Sequence, residues 1–221
     1  MDTVIEPGPG AQMRVLHLSL PETVHRELRS RILNNNLPAG TPLVELDLAR
    51  DFGVSRTTIR SALRELQAER LVEIQPRRHT IVIRMSVEEA AEACYARWVV
   101  ETSGLADVWD QVRRRLVSEL TEVVEVMEVA AENNDLAGIV EADTEFHRLI
   151  VTASGHPRLI EMWSTLNGQM GALMRSSLDR QGISMTVAVR SHRQLIAAFR
   201  SKDSSLALAA LRDHYITDSH S

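Results

Sequence analysis

Val54–Leu66, VSRTTIRSALREL, is the stretch whose reading decides the fold. Gly53 supplies a turn before it, Ser55 is a good N-cap, and Ile59, Leu63 and Leu66 recur at helical spacing along one face. The other face carries Arg56, Thr57, Thr58 and Arg60 near the helix N-terminus. Guanidinium forks pair with guanine edges or phosphates, and hydroxyls donate to phosphates or bases. A helix with such residues above an apolar underside has the pattern of the recognition helix of a helix-turn-helix. A surface helix with a solvated Arg/Thr face is the plainer alternative, and the flanking segments decide against it.

Upstream, Leu20–Leu33 is helical through Val24, Leu28 and Ile32, with Ser19 and Glu22 as a capping box and Pro21 in the first turn. Asn34–Gly40 ends that helix, and Val44–Asp51 makes a short second one that stops before Gly53. Downstream, Leu71–Ile74 and Ile81–Arg84 are rich in β-branched residues and flank Gln75-Pro76-Arg77-Arg78-His79. That is a hairpin with a basic tip. Three helices followed by such a hairpin predict a winged helix-turn-helix over 17–84, with Arg77, Arg78 and His79 on the wing. Residues 1–16, containing EPGPG, have the composition of a disordered lead-in.

The charge is divided in the same place. The 221-residue chain has a formal net charge of −5, which fits a nucleic-acid binder poorly until it is partitioned. Residues 13–84 hold 12 arginines against 8 acids, a balance of +4. Residues 85–221 hold 13 basic against 20 acidic residues, a balance of −7, and Asp2 and Glu6 complete the sum. A basic DNA-facing module is thus joined to an acidic module with another task. No apolar run approaches the roughly 18–20 residues that span a bilayer. The N-terminus lacks a basic-then-apolar signal, so a cytoplasmic protein without a membrane partner is expected. The single cysteine, Cys94, rules out an internal disulfide framework and reads as packing within a helix.

From Met85 onward the pattern is helical throughout. Ser86 and Glu89 form a second capping box, opening a helix to about Ala106. Further helices are predicted at about 112–133, at 136–153 with Asp135 as N-cap, from Pro157 through Leu173, at 185–200, and at 203–217. Residues 85–221 therefore form an all-α antiparallel bundle, and the whole chain is mainly α.

Asp143 and His147 are four residues apart and share one helical face. His192 and His214 fall on two later helices. Three imidazoles and a carboxylate are enough donors for one divalent ion, and a nitrogen–oxygen set without thiolate suits Zn²⁺, Ni²⁺, Mn²⁺ or Fe²⁺ alike. Spacing by itself leaves open whether these are ligands or ordinary surface polar residues.

Gly40–Glu73, GTPLVELDLARDFGVSRTTIRSALRELQAERLVE, resembles the N-terminal domain of GntR-type bacterial transcription regulators. The resemblance implies that Ser55, Arg56, Thr57, Thr58 and Arg60 face the operator and that the wing enters the minor groove. Leu46 stands where some relatives carry arginine, and Arg78-His79 where many carry glycine. DTEFHRLI (143–150), SGHPRLI (154–160), SHRQLIAAF (191–199) and the segment from Asp203 to His214 resemble the FCD domain of the FadR-like subgroup. That implies a divalent metal held by Asp143, His147, His192 and His214. YARWVVET (95–102) is similar to the family's Arg-x-x-x-Glu helix, implying that Arg97 binds an acidic effector with Glu101 in support. An Arg97–Glu101 salt bridge within the helix is the alternative.

The expected function is therefore a non-enzymatic, ligand-responsive regulator, a repressor. It would bind a pseudo-palindromic double-stranded operator as a homodimer under control of a small organic acid. Two rivals stand beside it: a direct metal sensor with no organic effector, and a metal-dependent hydrolase, for which the sequence offers no clear general base or nucleophile.

Overall fold

Ser19 begins the first helix as a capping box should. Its hydroxyl accepts the Glu22 N–H at 3.4 Å while the Glu22 carboxylate accepts the Ser19 N–H at 2.7 Å. The computed structural model in which this is seen describes residues 19–75, 80–83, 85–167, 170–181 and 184–220, with backbone alone for 176–181 and 216–220. The predicted lead-in and the wing-tip residues Arg77, Arg78 and His79 lie outside the described residues.

Helix α1 (Leu20–Leu33) buries Val24, Leu28, Ile32 and Leu33. After strand β1 (Pro42–Leu43) comes α2 (Glu45–Phe52), which ends on Gly53 at φ +64°, a left-handed position that glycine takes without strain. Helix α3 (Arg56–Ala68) follows, with the Ser55 hydroxyl accepting the Thr58 N–H at 3.1 Å. Strands β2 (Val72–Ile74) and β3 (Thr80–Val82) pair antiparallel, Glu73 opposite Ile81. The sequence did not reveal β1, which adds to the other edge of β3 and gives the order β1-β3-β2. Two residues are too few to show an alternation.

The bundle consists of α4 (Val87–Thr102), α5 (Leu105–Glu132), α6 (Leu136–Ala153), α7 (Pro157–Asn167), α8 (Met170–Gln181), α9 (Met185–Phe199) and α10 (Ser204–His220). Ser86 and Glu89 cap α4 reciprocally. Two predicted boundaries move. The chain turns at Gly104, φ +82°, so α4 ends at Thr102 and α5 starts at Leu105 rather than near 112. The apolar stripe of α5 accordingly includes Leu105 and Trp109 ahead of Leu116 and Leu120. The single helix expected from Pro157 through Leu173 is two, α7 and α8.

Helix α5 lies along α6 and α9, while α10 packs on α4 and α9. One continuous apolar cluster runs from Val24 and Leu63 at the front to Phe146, Phe199 and Leu211 in the bundle. The two parts meet where α1 ends, against α6 and α8. Asn34 terminates α1 and offers its side-chain oxygen to the Leu136 N–H at 2.9 Å, while Arg175 on α8 donates to the Leu33 carbonyl at 3.3 Å. Asp135, expected to cap α6 with its side chain, does not; Asn34 does so from outside. Among the described residues no helix is long and apolar enough to cross a membrane.

Candidate functional site

Among the described residues two groups of side chains emerge, one on α3 and one inside the bundle. On α3, Ile59, Ala62, Leu63 and Leu66 are buried against α1, α2 and the sheet, and this turns the opposite face outward. Ser55, Arg56, Thr57 and Arg60 are exposed there. Thr58 is half-buried and its hydroxyl lies 2.8 Å from that of Ser55, so both belong to the cap as well as to the face. Arg56 and Arg60 share an acidic neighbour that the sequence reading passed over, Glu45 in the first turn of α2. Leu46 beside it is exposed.

The second group lies inside the bundle. Asp143 and His147 project from α6, His192 from α9 and His214 from α10, all buried. One potential ligand atom from each lies within 4.8 Å of all the others. The imidazoles are oriented from behind. His147 Nδ1 lies 2.7 Å from a Glu101 oxygen, His192 Nδ1 is 2.8 Å from the Ala188 carbonyl, and His214 Nδ1 is 2.8 Å from the Ser191 hydroxyl. Donation from Nδ1 to carboxylate and carbonyl fixes the tautomer that leaves Nε2 as a lone pair. His147 Nε2, His192 Nε2 and Asp143 Oδ2 are buried and lack any hydrogen-bond partner. Groups of that kind are costly to bury unless something else meets them. A divalent cation would meet them, and the donor set fits one.

Electrostatics point the same way. Burial pushes the Asp143 carboxyl up, but the neighbouring His147, His192 (Nε2 3.2 Å from Oδ1) and Arg97 outweigh it, and the group is held below the usual carboxylate range. Glu101 is likewise pushed up by burial and brought below its ordinary value, chiefly by His147 and Arg97. Burial holds His214 well below the ordinary imidazole value, so it is neutral with its lone pair available. Two buried carboxylates thus face one buried guanidinium, and the site has room electrically for further positive charge.

Arg97 and Glu101 form the buried ion pair that was the alternative reading, at 3.3 Å. Arg97 also stands 3.5 Å from Asp143, with its guanidinium over the Trp163 and Tyr215 rings. Both of its Nη atoms are buried without hydrogen bonds. Glu101 collects donors that the sequence did not disclose: Trp163 Nε1–H at 2.7 Å and Tyr215 O–H at 2.6 Å. They come from α7 and α10, far along the chain, and no local motif marks them.

A cavity of about 80 Å³ opens onto this cluster. Asp143, His147, His214 and Tyr215 line its polar end, and Leu136, Ile139, Met170, Leu173, Met174 and Met185 its walls. Arg97 and Glu101 are not among its lining residues; they sit behind the histidines. Buried Cys94 contributes to the wall, as packing.

Residues 20–82 match the description "Bacterial regulatory proteins, gntR family", and residues 92–217 match the FCD domain. The chain belongs to the GntR family, in its FCD-containing branch. It is similar to the gluconate operon transcriptional repressor of Bacillus licheniformis, 30% identical over 197 residues that cover 86% of this chain and 79% of the relative. It is also similar to the gluconate operon transcriptional repressor of Bacillus subtilis, 28% identical over 193 residues with the same coverage, 86% and 79%. A solved structure from Rhodococcus sp. RHA1, described as a GntR regulator, shares the fold. Its TM-score is 0.71 at 20% identity, with 91% of this chain and 96% of that chain covered. As a GntR-family member the chain is a DNA-binding transcription regulator, and its relatives are regulators rather than enzymes.

Proposed function

We propose that this regulator is a repressor. Residues 17–84 would bind a pseudo-palindromic operator as part of a homodimer, and residues 85–221 would carry dimerisation and effector sensing. Ser55, Arg56, Thr57, Thr58 and Arg60 meet the major groove, with Arg77, Arg78 and His79 on the wing. Asp143, His147, His192 and His214 hold a divalent ion, which supplies a Lewis-acidic anchor for an anion. The effector is a small carboxylic acid seated in the cavity above that site. Arg97 stands behind the histidines, 3.5 Å from Asp143 and paired with Glu101. It serves the acid as a buried positive charge behind the ligand cluster rather than as a wall of the cavity, and Glu101 holds it in place.

The observation that carries this reading is the set of unmet buried atoms: His147 Nε2, His192 Nε2 and Asp143 Oδ2 around one point, with both Arg97 Nη atoms beside them. The described cavity walls narrow the acid further. Against Leu136, Ile139, Met170 and Leu173, a buried methylene contributes about 0.8 kcal/mol, whereas a hydroxyl left unpaired costs about 1–3 kcal/mol. A short acid with a hydrocarbon body fits such walls better than a polyhydroxylated acid does, even though the named relatives are gluconate operon repressors.

The test is a thermal-shift series on the zinc-loaded protein with hexanoate and gluconate at equal concentration. Hexanoate should raise Tm and gluconate should leave it unchanged; the reverse order contradicts the assignment of the effector. The direct metal-sensor reading is separated by chelator titration of operator binding. A full response to chelator, unaltered by any acid, would favour it.

A further inference from the structure

Glu45 is the first residue of α2 and belongs to neither group of expected site residues. Its carboxylate grips Arg60 with both oxygens. Arg60 Nε–H donates to Oε1 at 3.0 Å and Nη2–H to Oε2 at 2.8 Å. Arg56 Nη2–H donates to the same Oε2 at 3.3 Å. The two arginines are themselves one turn apart on one face of α3, where like charges repel. One carboxylate from the neighbouring helix offsets that repulsion and holds both forks. Arg56 and Arg60 stay 61% and 50% exposed while Glu45 is 27% exposed, so the carboxylate sits behind the guanidiniums and they face solvent.

A guanidinium has five N–H donors, and this pairing uses two of those on Arg60. The remaining three still form a fork wide enough for the O6 and N7 of a guanine. Hydrogen bonding from Arg60 holds the Glu45 carboxyl below its ordinary range, so it is ionised at neutral pH.

We propose that Glu45 is a positioning residue that sets the sequence discrimination of α3. It orients Arg60 for base-edge pairing, and it offsets charge that would otherwise draw the same face to any duplex. This rests on the reading of α3 as the DNA-contacting helix. Attraction to phosphates is blind to sequence and strengthens with every cation offered. Pairing with a base edge demands a fixed fork, and a fork already held loses less freedom on binding. Specificity is the difference between these two affinities, and a carboxylate behind the arginines lowers the first while favouring the second.

Asp47 provides the control. It lies in the same first turn of α2, carries the same charge, and has its ion pair with Arg50, 3.7 Å away, rather than with the α3 arginines. The full-length protein is used to select a duplex from a random pool. Wild type, Glu45→Gln and Asp47→Asn are then titrated by fluorescence anisotropy against that duplex and a scrambled one, over a range of salt concentrations. Glu45→Gln should bind the scrambled duplex several-fold more tightly and the selected duplex no more tightly. The ratio of the two affinities should fall about tenfold, and the salt slope on scrambled DNA should steepen by about 1. Asp47→Asn should keep the wild-type ratio. A wild-type ratio and slope in Glu45→Gln overturns the inference, and so does an Asp47→Asn variant that behaves like Glu45→Gln. Failure of wild type to enrich any duplex instead overturns the DNA-contacting reading of α3 itself.

Discussion

The side-chain oxygen of Asn34 and the backbone N–H of Leu136 are hydrogen-bonded at 2.9 Å across the junction between the DNA-binding part and the bundle. Each end of this bond is tied to one of the two sites. Asn34 terminates α1, which packs on α3, and Leu136 begins α6, which carries Asp143 and His147. Leu136 also lines the cavity. A displacement of α6 therefore reaches α1 through the Asn34 side chain and the packing of α1 on α6 and α8, supported by the Arg175 bond to Leu33. For such a link to alter DNA affinity, the ligand must favour one arrangement over the other.

Asn34→Ala removes this link and the cap on α6 together. Loss of a cap costs about 1 kcal/mol, so Tm should fall by only a few degrees. Zinc affinity should be retained, while the change in operator affinity between zinc-loaded and chelator-treated protein should shrink. Operator titrations in the two states, with a parallel melting curve, measure both quantities. An undiminished zinc response in Asn34→Ala would show that the signal crosses elsewhere.

Glu101 lies behind His147, and its oxygens receive His147, Trp163, Tyr215 and Arg97. Replacing a carboxylate that orients a metal-bound histidine typically costs 10–100-fold in metal affinity. Glu101→Gln should therefore bind zinc about 10–100-fold more weakly in competition with a chromophoric chelator, with its helical circular dichroism kept. Unchanged zinc affinity would remove the carboxylate from the ligand-orienting role.

Glu69, at the C-terminus of α3, takes His25 Nε2 at 2.6 Å and Arg29 Nε–H at 2.7 Å from α1. Burial pushes this carboxyl up, but the His25 hydrogen bond and the Arg29 charge and hydrogen bond outweigh it and leave it below its ordinary value of 4.5. A carboxyl lowered on folding contributes stability that is fully present above its unfolded value and is lost as pH falls through the folded one. Glu69→Gln should cost about 1–3 kcal/mol at pH 7. Its deficit relative to wild type should narrow as the pH drops below 4.5. Urea denaturation at a series of pH values checks this, and a deficit independent of pH would assign the effect to packing.

Where the determinants of structure are local, the sequence displayed them. The Ser19–Glu22 and Ser86–Glu89 boxes, the Gly53 turn and the Ser55 cap each involve residues within one turn, and all four are found as read. The clustering of Asp143, His147, His192 and His214 was legible through family resemblance, since only one pair shares a helix. What escaped notice joins distant segments or leaves no periodic trace. Strand β1 has two residues, the cap of α6 comes from Asn34, and Trp163 and Tyr215 reach Glu101 from other helices. Glu45 looked like an ordinary first-turn acid because its partners lie on the next helix.

The central claim is that the exposed arginines of α3 contact the operator. Its most direct test is the affinity of Arg56→Ala and Arg60→Ala for a duplex selected by the wild-type protein, measured at fixed salt concentration. Loss of a base contact should weaken binding by about 1–3 kcal/mol in either variant, with the melting temperature unchanged because both side chains are exposed. Wild-type affinity in both variants would contradict the account.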